Sequence, residues 1–295
     1  RQGNDHLPRE LIFGFTDRQV NLVDWYPFVV PYRTDHGWLL HEPGIVGEHL
    51  VYDRADYDLV ILFTDYVNLP VVAAPGLGTW SGNSWFYQVT DSRTLALSFS
   101  REYSIVSTDV AGVKVSSVFF KDDVAAGLAV LETAAQAVRV FNERFAPYPH
   151  PVLTVVEGDF IPSMEYDGLV FIGQPNYHDP GDTNRDFQVV LTAHEVAHQW
   201  WFGVVGNDQA LEPWLDEALS TYSEHIFYEA VAPGDLEWWH DQRLRARPDL
   251  SGWVDSTIYD PNFNYTDTVY LRGALFLEDL RQEVGDEAFF AFLRE

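Results

Sequence analysis

Cysteine is absent from the 295 residues, which excludes disulfides and thiolate metal sites and leaves histidine and carboxylate to hold any metal. Basic residues are scarce: 18 Lys and Arg face 45 Asp and Glu, a formal net charge of −27. Nucleic acid is therefore not an expected partner, because phosphate contacts need a basic surface. The bland reading is a solvated acidic surface; attraction of cationic peptide amino termini is the weaker functional one. No continuous apolar run reaches the ~18 residues of a membrane span, and no basic-then-apolar signal opens the chain. The first residue is Arg1 and not Met, so a processed or trimmed soluble piece is expected. The lack of cysteine does not fix its compartment, with a secreted or cell-surface location slightly favoured over a cytoplasmic one. Internal repeats, low-complexity tracts and flexible linkers are also missing, and oligomeric state is not legible.

Material for a core is plentiful. The composition is 46% hydrophobic with 10 Trp, 15 Tyr and 20 Phe, enough for one large domain or two ordinary ones. Residues 1–107 read as β structure, with strand-like runs at 18–23, 49–52, 57–64, 84–89 and 94–99 between turn signals. His6, His36, His41 and His49 are scattered singly through this part, as loop or surface histidines are. From 108 the pattern changes to strands at 112–120, 151–157 and 168–172 and long helical runs at 122–145, 186–202, 213–230, 233–247 and 266–284. The expected fold class is α+β, with a β-sandwich-like N-terminal domain over 1–107 and a mixed domain over 108–295.

The chemistry concentrates between Thr192 and Glu224. His194, Glu195 and His198 form an H-E-x-x-H pattern, and Glu217 follows His198 after eighteen intervening residues. On a helix, positions four apart share a face, so both imidazoles can grip one ion while Glu195 is placed to take a proton from a metal-activated water. From 10 His in this composition the pentapeptide is expected by chance on the order of 0.02 times, so accident explains it poorly. Pro213 suits the first turn of a second helix carrying Glu217. Two His and one Glu leave a fourth position open, the catalytic form of a zinc site, and one Zn²⁺ per chain is expected. Glu224, seven residues past Glu217, lies on the same helix face, where it can orient an imidazole or be an ordinary surface glutamate.

HEVAHQWWFG, the eighteen-residue spacing and WLDEALSTYSE together resemble the zinc aminopeptidase family M1, a gluzincin family; thermolysin-like endopeptidases place the third ligand one residue further along. The resemblance implies a β-rich domain followed by a thermolysin-like catalytic domain, with His194, His198 and Glu217 on zinc and Glu195 as base. It covers the second half well and the first loosely. It also implies a chain that starts partway into the first domain and stops before a further helical region. Ile161-Pro162-Ser163-Met164-Glu165-Tyr166 is similar to the family's G-x-M-E-N motif, so Met164 and Glu165 would bind substrate on an edge strand, Glu165 holding its α-amino group. Pro162 and Tyr166 depart from that motif, and Pro162 removes one backbone N–H. Tyr270, with Arg272 and Gly273, is similar to the family's Tyr-x-Lys-Gly and would donate to an oxyanion; Tyr265 is a second candidate. The family's second amino-group anchor, from the β domain, has no alignable counterpart, and Asp24 is the nearest guess. The reading that follows is a zinc metallopeptidase acting on peptides, with aminopeptidase action first. The alternatives are a zinc endopeptidase and an inactive zinc-containing peptide-binding module.

Overall fold

The computed structural model describes residues 11–65, 67–245, 252–260 and 264–295. Its first hundred residues contribute nine short strands: β1 (Gly14–Phe15), β2 (Val20–Leu22), β3 (Tyr32–Arg33), β4 (Gly37–Trp38), β5 (Ala55–Leu62), β6 (Val71–Ala73), β7 (Gly78–Ser81), β8 (Ser84–Ser92) and β9 (Leu97–Ser100). A four-stranded sheet, β1-β2-β9-β6, packs face to face on a three-stranded one, β5-β8-β7, with β3 and β4 as a separate hairpin. Leu22, Val72 and Leu97 from one layer meet Leu59, Ile61 and Tyr87 from the other, which is the packing of a small sandwich. One expectation fails here. Residues 49–52 are irregular and not a strand: their β-rich composition finds no partner strand, and composition without a partner makes no ladder. His6 lies outside the described residues.

The centre of the molecule is a second sheet, β10 (Tyr103–Val110), β11 (Val113–Phe120), β12 (Val152–Gly158), β13 (Met164–Tyr166) and β14 (Leu169–Gly173), in the order β10-β11-β12-β14-β13. The break between 107 and 108 falls inside β10, which pairs with β11 along its whole length. β11, β12 and β14 run parallel and are buried on both faces, which explains their nearly unbroken apolar runs. Leu153, Val155, Val170 and Ile172 face one layer of helices. Val156, Leu169 and Phe171 point to the opposite side, toward Ala73 and Ala96 of the N-terminal sandwich.

The helical layer begins with α1 (Val124–Arg144), whose Ala126, Val130, Ala134, Ala137, Val138 and Phe141 recur at helical spacing and are buried on the sheet. By length and mean hydropathy α1 would suffice to cross a membrane, contrary to the reading from continuous runs, but in the fold it is a core helix. α2 (Phe187–His198) and α3 (Trp214–Val231) pack beside it. The expected helix over 186–202 keeps α-helical form only to His198 and then widens into a π-type turn, Gln199–Val204, that buries Trp200, Trp201 and Phe202. The run expected over 233–247 is broken: α4 is only Leu236–Trp239, a wide turn His240–Arg245 follows, and Arg247 lies outside the described residues. Another wide turn, Thr266–Arg272, leads into α5 (Gly273–Val284) and a short α6 (Asp286–Arg294) that periodicity did not signal. Gly273 is required by contact, since a Cβ there would stand 2.4 Å from that of Ala218 on α3.

Candidate metal centre

Asp186 caps α2 by accepting the Gln188 N–H at 2.8 Å, and just over one turn separates the two histidines further along it. The Nε2 atoms of His194 and His198 stand 3.1 Å apart. From the first turn of α3, where the helix dipole favours negative charge, Glu217 brings Oε2 to 3.2 Å from one and 3.5 Å from the other. A tetrahedral zinc with bonds of about 2.0–2.1 Å needs ligand atoms roughly 3.3 Å apart, so these three buried side chains form a triangle of the right size.

The far side of each imidazole is held as well. His194 Nδ1 donates to Glu224 at 2.8 Å and His198 Nδ1 donates to Asp216. A carboxylate only accepts, so each Nδ1 carries a proton, and each Nε2, which faces Glu217, is the nitrogen that would bind a metal. Glu224 is held in turn by Trp239 Nε1 at 2.9 Å and Arg243 at 2.8 Å, and Gln209 donates to Asp216. Burial pushes the Glu217 and Glu224 carboxyls up, but the two histidines at Glu217 and the Arg243 charge at Glu224 outweigh it and hold both below the usual range.

Glu195 is 5% exposed, and its Oε2 has no hydrogen-bond partner among the described residues. Burial pushes its carboxyl up to about 7 against the pull of His194 and His198. An unpartnered carboxylate poised near neutrality is well matched to accepting a proton. Tyr270 comes from the wide turn before α5. Its ring stacks on His194 with centroids 5.8 Å apart, and its hydroxyl donates to Glu217 Oε1 at 2.5 Å. Burial, then the Glu217 charge, raises this phenol well above its ordinary value, so it stays a donor.

Met164 and Glu165 lie on β13, which ends the sheet and among the described residues pairs with β14 alone, so no described strand pairs with its other edge. Pro162 precedes β13, and the Tyr166 carbonyl accepts from Gln199 Nε2 at 3.2 Å, tying the strand to the turn after α2. Glu165 is 6% exposed, and none of the described residues donates to its carboxylate. Burial raises it well above the carboxylate range, with the Glu48 charge adding to the rise and His198 opposing it.

Glu48 is a residue that sequence reasoning missed. It comes from an irregular loop of the N-terminal part, yet Glu48, Glu165 and Glu217 place carboxylate oxygens within 4.8 Å of one another. Burial, then Glu217 and Asp216, push Glu48 up to about 8. Tyr265 Oη lies 3.4 Å from Glu48 and its ring meets Tyr270 edge-on. The close pass of this loop explains Gly47: its φ is +72°, and a Cβ there would lie 2.7 Å from Ile258 and 2.9 Å from the Tyr265 hydroxyl. Asp24, the nearest guess from sequence, belongs to none of the carboxylate groups around the triangle. Asp216 was also missed, although its place next to Glu217 is a usable signal; for Glu48 no local motif exists. Two further side chains from the N-terminal part, Arg54 and Arg93, donate to the carbonyls of Gly203 and Val204 and so satisfy the end of the turn that follows α2.

Fold and site together define a His₂Glu metal centre on a two-helix frame beside an open sheet edge, the class of site found in zinc peptidases. The sequence pattern described as the Peptidase family M1 domain matches residues 129–295, and the chain belongs to peptidase family M1. It is 28% identical over 185 residues to aminopeptidase N of Streptomyces lividans, a match covering 55% of this chain and 21% of that protein. Against aminopeptidase M1-A of Oryza sativa subsp. japonica it is 27% identical over 202 residues, 62% of this chain and 22% of that one. The crystal structure of an M1 zinc metallopeptidase from Deinococcus radiodurans shares the fold with a TM-score of 0.58 at 22% identity, over 83% of this chain and 56% of that one. The chain thus spans about a fifth of the length of these curated relatives.

Proposed function

We propose that this protein is a zinc-dependent aminopeptidase. The observation that supports the finer reading is the pair of carboxylates, Glu165 and Glu48, gathered within 4.8 Å of the Glu217 ligand oxygen. A substrate α-ammonium held between them would set the first peptide bond over the His₂Glu triangle, and a blocked or internal chain would leave both carboxylates without a partner. Zinc at the triangle supplies Lewis-acid activation of water and of the scissile carbonyl. Glu195 takes the proton of the attacking water and passes it to the leaving amine. The Tyr270 hydroxyl, freed from Glu217, donates to the oxygen on which charge develops. The open edge of β13 receives the peptide as an added strand.

The test uses fluorogenic peptides with free and acetylated amino termini, with and without a chelator, alongside elemental analysis. Free peptides should be hydrolysed from the amino end, blocked ones should be nearly inert, and the chelator should stop turnover. Equal cleavage of blocked peptides at internal bonds, read by mass spectrometry, would make the protein an endopeptidase. No hydrolysis by protein carrying one zinc per chain would leave the binding-module reading.

A further inference from the structure

The carboxylate pair is one wall of a cavity of about 230 Å³ formed between the N-terminal part and β13. Because Glu165 and Glu48 both line it, a residue whose ammonium they share would have its side chain beside this cavity. Its lining contains no lysine or arginine, and His49 is the one side chain there able to carry positive charge. Tyr52 and Phe202 form an aromatic wall with rings 6.4 Å apart, backed by Phe28 at 4.7 Å from Tyr52. Apart from the carboxylate pair, a third acid, Asp24, stands exposed at the cavity's rim. Its Oδ1 accepts from the Tyr52 hydroxyl at 2.6 Å, while none of the described residues donates to Oδ2. The cavity therefore offers carboxyl groups in two separate places, joined by aromatic faces.

We propose that this cavity receives the side chain of the substrate's first residue and that Asp24 selects a basic one, arginine above all. A guanidinium lies flat on Tyr52 or Phe202 and donates to the free Asp24 oxygen, whereas an apolar side chain leaves that oxygen to water. The inference rests on the aminopeptidase reading and adds its substrate class.

The test compares kcat/KM for otherwise identical free-amino substrates beginning with arginine and with citrulline, which has the same shape without the charge. The zinc-loaded wild type should favour arginine by about 5- to 30-fold, the range of one partly exposed charge-assisted hydrogen bond. Asp24→Asn should bring the ratio close to one; Asn tolerates the left-handed backbone at this position, φ 51°, and can still accept from Tyr52. A wild-type ratio near one, or a folded Asp24→Asn protein with an unchanged ratio, overturns the proposal. Calorimetric titration with free L-arginine and L-citrulline reads the same preference without turnover. If no free-amino substrate is cleaved yet L-arginine binds at least 5-fold tighter, the aminopeptidase reading fails and the pocket stands; equal binding overturns the pocket.

Discussion

Replacing Glu48 by Ala tests the part of the site that only the fold assembled. Glu48 and Glu165 would share one substrate ammonium, each through a charge-assisted hydrogen bond worth about 1.5–3 kcal/mol. Glu48 is half-buried and Glu165 nearly fully so, which puts Glu48 at the low end. Its loss should lower kcat/KM for free peptides about 10-fold, and loss of Glu165 about 30- to 100-fold. The two effects should not add. Burial raises both carboxyls and the Glu48 charge adds to the rise at Glu165, so removing Glu48 lets Glu165 ionise more readily and bind the ammonium better. The assay is a double-mutant cycle on the ratio of free to acetylated substrate, because the acetylated peptide cannot use either carboxylate and so reports general damage. The double variant should bring that ratio close to one. If Glu48→Ala keeps the wild-type ratio while Glu165→Ala abolishes it, Glu48 is no anchor. If neither moves the ratio, the ammonium does not bind here.

Other consequences can be measured separately. Glu195→Gln keeps shape and charge-free contact but cannot accept a proton, so turnover should fall about 10²- to 10⁴-fold while elemental analysis still finds zinc; wild-type turnover would remove Glu195 from the mechanism. Glu224→Gln takes away the charge that Arg243 and Trp239 hold against His194, and zinc affinity by chelator competition should weaken about 10- to 100-fold. An unchanged affinity would make that contact incidental. Burial pushes the Glu157 carboxyl up to about 8, with the Phe120 N–H bond pulling the other way. A folded pKa raised above the unfolded one contributes stability that is present at low pH and lost as pH rises through about 8. Glu157→Gln should therefore denature nearly like the wild type at about pH 4, below the unfolded pKa, and gain up to about 3–5 kcal/mol on it at pH 9; a pH-independent difference would refute the assignment.

Legibility followed the range of the interaction. His194, Glu195 and His198 share one helix, and their common face is a property of the helical repeat, so the pattern announced it before any fold was known. Glu217 was legible for the same reason once a second helix could be read from Pro213 onward. Tyr270 and Glu165 lie on separate elements and were reached through resemblance; the structure brings both to the triangle. The wide turns after His198 and before Gly273 were not legible, because they answer to packing of Trp200 and Trp201 and of α5 on α3, not to local periodicity. Composition suggested a strand over 49–52, where the fold has instead a loop that delivers Glu48.

By itself the sequence determined a cysteine-free ligand set, two helices with their metal-facing residues in register, and a sheet core readable from alternating apolar positions. Those depend on neighbours a few residues apart, and such contacts form wherever the chain folds locally. The tertiary structure alone decided that Glu48 would face Glu165, that Asp24 would stand apart across the cavity, and that Arg54 and Arg93 would close the end of the metal helix. The physical reason is that burying the two faces of one sheet against two different layers brings an irregular loop from one layer over the metal site of the other, and no short-range pattern encodes that meeting.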